Sequence, residues 1–104
     1  MTVTVTPVYE NISTFGIVGT VLSRVYEVSG VTNTAGDPEV YRAHLDGQYN
    51  DGSIRFEVSV QRPNGSFAML NRNKHYSRVR SVFSALRDVT EEYKAANQAA
   101  REAA

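Results

Sequence analysis

The sequence predicts an α+β fold: an antiparallel β-meander of about five strands over residues 2–71, followed by one long α-helix over 76–103 packed on one face of the sheet. Three observations point there. Side chains alternate with period two through the first two-thirds of the chain, clusters of turn formers interrupt that alternation, and after Tyr76 the apolar spacing lengthens to threes and fours. The 104 residues, 41 % of them hydrophobic, suffice for one core but not two, so a single domain over 1–104 is expected.

The first strand is Thr2 to Thr6, β-branched throughout, with Pro7 ending it or confining it to a sheet edge because proline has no N–H for the ladder. Phe15 to Val28 is a second β-rich segment in which Gly16 and Gly19 mark a bend or bulge. Ser29 to Pro38 is dense in turn formers and reads as a loop. Glu39 to Tyr49 and Ser53 to Arg62 are strands around Asn50-Asp51-Gly52, where glycine supplies the positive φ of a tight hairpin. Pro63-Asn64-Gly65 repeats that device and leads into Ser66 to Leu70.

For the helix, Val79, Val82, Leu86, Val89, Tyr93, Ala96 and Ala100 form one stripe, widened by Phe83, with Ser77 or Asn73 as candidate caps. Beyond Tyr93 the stripe holds only alanine. Little area can be buried there, so the last turns are expected to fray unless another chain covers them.

Strand parity divides the hairpin into two faces. Tyr41, Ala43 and Leu45 fall on one side with Ile54, Phe56, Val58 and Val60, and the helix is the element available to cover them. Arg42, His44, Arg55, Glu57, Ser59 and Gln61 fall on the other, with Val40, Asp46 and Gln48. A solvated sheet face shows the same alternation without binding anything. As a binding platform, Arg42 and Arg55 can fork onto phosphate oxygens while Ser59 and Gln61 bond base or sugar edges. Asp46 and Glu57 argue for a shaped local site over a general polyanion trap. A second basic cluster, Arg72, Lys74, Arg78 and Arg80 with His75 and Tyr76, reads first as solvated residues entering a helix; because cations there oppose the helix dipole, it is also a candidate anion or partner-binding site.

Other chemistries lack a pattern. There is no cysteine, and His44 and His75 have no metal-ligand spacing, so neither a metal nor a cofactor is expected. No serine is matched with an identifiable base, and no carboxylates are spaced as an acid–base pair, which points away from an enzyme. Eleven Lys plus Arg balance eleven Asp plus Glu, so no global field draws the molecule to nucleic acid or membrane. No apolar run approaches the roughly 18 to 20 residues of a membrane span, and MTVTVTPVYE lacks the features of a secretory signal, so a soluble chain beginning near Met1 is expected.

The segment EVYRAHLDGQYNDGSIRFEVSVQRP, preceded by YEVSGVTNTAGDP, resembles the central part of single-stranded RNA bacteriophage coat proteins. The similar residues are the Ser29-Gly30-Val31 loop, Gly36-Asp37-Pro38, the two alternating strands and Pro63, over about half the chain. The resemblance implies a structural capsid protein in the virion or the host cytoplasm: a homodimer whose helices lie across the partner's sheet, dimers closing into a shell, and the polar sheet face holding an RNA hairpin through Arg42, His44, Arg55, Glu57 and Ser59. The chain departs from that family in having only PNGSFAMLNRNKHYS between Pro63 and the helix, and in ending as one alanine-rich helix. The alternative reading is a small phage-type inhibitor or adaptor that presents its basic cluster or a strand edge to a host protein.

Overall fold

The computed structural model describes residues 3–15 and 19–103; Thr2 and Gly16, invoked above, lie outside them. Five antiparallel strands form one sheet in the order β1-β2-β3-β4-β5: β1 Thr4–Phe15, β2 Gly19–Thr32, β3 Pro38–Gln48, β4 Ile54–Gln61 and β5 Phe67–Met69. Helical residues follow, as α1 Tyr76–Ala85 and α2 Arg87–Ala103. The fold is the α+β meander and C-terminal helix that the two periodicities predict.

Several boundaries move, each for a local reason. β1 runs through Pro7 because it is an edge strand, and the pairing absorbs the proline by slipping register between Pro7 and Tyr9. Ser29-Gly30-Val31 is not a loop: β2 continues to Thr32, and Gly30, at φ +97°, forms a bulge opposite β3. The true loop is shorter. Asn33 closes it by accepting the amides of Ala35 and Asp37 at 2.9 and 3.0 Å. The next two turns share one chemistry, in which the side chain of Asp51 or Asn64 accepts both the amide and the hydroxyl of the serine two residues on, while Gly52 and Gly65 take positive φ. Those bonds to Ser53 lower the Asp51 pKa.

The helical segment breaks at Leu86, whose amide is shared between the carbonyls of Val82 and Phe83 at 3.2 and 3.1 Å. Neither Ser77 nor Asn73 caps the start: His75 occupies the N-cap without a side-chain bond, and Asn71 holds the preceding turn by accepting the amides of Asn73 and Lys74. α1 lies over β2, and α2 over β2 and β3. Their stripe places Val79, Val82, Leu86 and Tyr93 against Leu22, Tyr26 and Val28 of β2, Tyr41, Ala43 and Leu45 of β3, and Val58 of β4. Full burial of each large side chain here contributes roughly 1.5 to 3 kcal/mol.

The alanine-rich end of α2 is helical to Ala103 and is anchored by this chain's own residues. Asn97 is 2 % exposed and its Oδ1 accepts the Leu22 amide at 2.9 Å, while Ala96 and Ala100 pack on the core. Next to it the Tyr93 hydroxyl accepts the Gly47 amide at 2.6 Å and donates to the Leu22 carbonyl. Gly47 sits at φ +100° in the bulge that shifts register between Leu45 and Gln48. A Cβ there meets only Val21 Cγ1 at 3.5 Å, so the penalty of Gly47→Ala is backbone strain and not a clash. That variant is expected to lose on the order of 1 to 2 kcal/mol of stability in denaturant unfolding.

Candidate functional site

The face of the sheet turned away from the helices is built by strand register. Opposed residues form rows that cross the strands. Thr6, Glu27, Arg42, Ser59 and Met69 make one row; Tyr9, Val25, His44 and Glu57 make the next; Asn11, Ser23 and Asp46 make a third; Thr4, Ser29, Val40, Gln61 and Phe67 flank the first on its other side. Arg42, Arg55, Glu57 and Gln61 are exposed, and His44 and Ser59 are half-buried by their neighbours. All six residues assigned to this face from strand parity are therefore brought together on it. β1 and β5 enlarge the platform with Tyr9, Phe67 and Met69, which the hairpin alone could not reveal.

The electrostatics differ from two free guanidinium groups. Arg55 bonds Asp46 Oδ2 at 2.7 Å and the Asp46 carbonyl at 3.2 Å, and Asp46 is further fixed by the Ser23 hydroxyl at 3.1 Å. Arg42 is held more loosely, 3.6 Å from Glu27, with its guanidinium carbon 4.2 Å from the centre of the Phe67 ring. The face thus carries Arg42 and Arg55 against Glu27, Asp46 and Glu57. It has no excess of positive charge with which to hold a polyanion indiscriminately. What it offers is a flat cation, hydroxyl and amide groups, and a shallow depression of about 250 Å³ lined by His44, Asp46, Arg55, Phe56 and Glu57.

The basic cluster at the helix start does not stay together. Arg78 turns inward, bonding Glu39 Oε2 at 2.8 Å and the Tyr41 hydroxyl at 3.1 Å, and these partners, Tyr41 first, raise its pKa. It is an interior tie between α1 and β3. Arg72 lies with its guanidinium carbon 4.4 Å from the centre of the Phe56 ring and donates to the Phe56 carbonyl. Arg80 and Lys74 are exposed. Phe83, expected to widen the buried stripe, instead stands 45 % exposed and stacks on Phe56 with centroids 5.0 Å apart.

Among the described residues no helix is long and apolar enough to cross a membrane. No family model matches the chain, and neither a curated protein nor a solved structure is significantly similar to it.

Proposed function

We propose that the chain is a non-enzymatic structural protein that dimerises and assembles further, and that its helix-free sheet face binds a structured RNA, in the manner of the RNA phage coat proteins its central segment resembles. The observation that carries this reading is the open face itself. Both helices cover the opposite side, so a face of five strands, with Arg42 stacked on Phe67 beside Ser59 and Gln61, is left accessible. Its near-balanced charge suits a folded hairpin presenting a few phosphates and unpaired bases, since Glu27, Asp46 and Glu57 repel unselective backbone contact.

Association is supported by β1. It is an edge strand, and Val8, Tyr9 and Ile12 are exposed along it at 43, 60 and 56 %. An edge strand with apolar side chains is a ready surface for another copy. A host cell is the corresponding setting, with the protein in the virion or in the cytoplasm.

Light scattering combined with ultraviolet absorbance on the purified chain tests both parts. The expected result is a species much larger than one chain that carries nucleic acid. A lone chain free of nucleic acid removes the proposal, and large particles free of RNA remove the role of the sheet face.

A further inference from the structure

We infer that the groove between β4 and α1, on the helix side of the sheet, is a second binding site, and that its ligand is an acidic polypeptide segment with bulky apolar anchors, supplied by another protein. The groove has a volume of about 560 Å³. Phe56, Val79 and Phe83 make its apolar floor, and Arg72, Arg80 and Tyr76 its rim. It continues past Phe83 into a depression bordered by Arg87 and Thr90.

Charge complementarity decides the ligand's sign. Arg24, Arg42, Arg55, Arg78 and Lys94 each pair with a carboxylate of this chain. Arg72, Arg80 and Arg87 do not, among the described residues; no carboxylate lines the groove or its continuation past Phe83, and Glu57 enters only the neighbouring depression that shares Phe56, Arg72 and Asn73 with the groove. The molecule's eleven cations equal its eleven acidic residues, and of the cations without a carboxylate partner, Arg62, Lys74 and Arg101 lie elsewhere while Arg72, Arg80 and Arg87 gather around this one apolar trough, so the charge there is local. The trough also remains wet where a folded core would be dry: Phe83 is 45 % and Tyr76 65 % exposed. Arginine and aromatic side chains together are the composition of interface hot spots.

The aromatic arrangement favours a peptide over a nucleobase. Phe56 already carries the Phe83 ring at 5.0 Å and the Arg72 guanidinium at 4.4 Å, so its π-surface is taken. Ring edges and the Val79 side chain remain, and these pack against aliphatic or aromatic side chains better than they stack bases. The donation from Arg72 to the Phe56 carbonyl holds that guanidinium at the rim, leaving its other N–H groups for a carboxylate.

The test uses the full chain and a short fluorescent peptide of glutamates interspersed with leucine and phenylalanine. Its controls are the same peptide with lysine for glutamate, and oligouridylate. The expected result is saturable binding of the acidic peptide alone, weakened by salt, with shifts in amide hydrogen–deuterium exchange, read by mass spectrometry at any particle size, centred on Val79, Arg80 and Phe83. Arg80→Glu, a substitution on an exposed side chain, should weaken binding about tenfold or more without changing the fold. The inference is overturned by equal binding of the lysine peptide, by shifts confined to the open sheet face, or by competition from oligouridylate. It is equally overturned if Arg80→Glu reduces the size of the peptide-free protein in light scattering, because the trough is then filled by a second copy. None of these outcomes bears on whether particles contain RNA.

Discussion

Tyr93→Phe should destabilise the fold by about 2 to 4 kcal/mol, far more than one exposed hydroxyl is worth, because two buried backbone groups lose their partner together. The Tyr93 hydroxyl accepts from the Gly47 amide and donates to the Leu22 carbonyl, and the residue is fully buried. Pairing between β2 and β3 ends at Ser23 and Asp46, so Leu22, which pairs with Ile12 of β1 on its other side, lies beyond the β2–β3 ladder, and Gly47 sits in the bulge between β3 and β4. Thermal unfolding followed by circular dichroism should show Tm falling by on the order of 10 to 20 °C. A fall within error of the wild type means that water replaces the hydroxyl, and the clamp is then dispensable. Alkaline titration gives an independent reading. Burial pushes the Tyr93 pKa up, so the folded state binds the phenolic proton more tightly than the unfolded state, whose value is about 10. The stability from this group is whole below about pH 10 and is lost as pH rises through the folded value. Tyr93→Phe should lack that alkaline component.

Tyr93 also marks where sequence reasoning stops. Its place on the apolar stripe is legible from spacing, as are Tyr41, Ala43 and Leu45 opposite it, because parity and helical period are local properties. That its hydroxyl closes the sheet end is not legible, since it depends on β2 and β3 diverging near residues that are 71 and 46 positions away in the chain. Asn97 is the sharper case. An asparagine among alanines looks like a solvated tail, yet it falls four residues after Tyr93, on the same face, and its side chain satisfies the Leu22 amide. A lone amide at that spacing was a signal that the tail is anchored. Similarly, the six residues of the open face follow from alternation, but the Asp46 clamp on Arg55 and the Phe67 ring under Arg42 require the order of strands. Arg78 was inseparable from its basic neighbours in sequence, because only the packed helix shows which arginine points at Glu39.

The difference between the two arginines of the open face leads to the second large effect. Arg42→Ala should weaken binding of a labelled RNA stem-loop about 10- to 100-fold, as the loss of one charge-assisted bond of about 1.5 to 3 kcal/mol implies. Arg55→Ala should cost only a few-fold. Arg42 has a slack pair at 3.6 Å and an aromatic ring that holds its guanidinium flat, so it can engage a phosphate with little rearrangement. Arg55 must first leave Asp46, which it grips with its guanidinium twice over. Asp46→Asn should therefore raise affinity about three- to tenfold, by releasing Arg55 and removing a negative charge from the face. The fold should tolerate that change, because an asparagine carbonyl still accepts the Ser23 hydroxyl. Anisotropy titrations at several salt concentrations separate these terms: Arg42→Ala should flatten the salt dependence by about one unit of slope, and Asp46→Asn should steepen it. Unchanged affinity in both arginine variants, with no gain for Asp46→Asn, places the phosphate contacts elsewhere. The acidic residues of the face then act as structural partners of its arginines and not as a filter on what binds there.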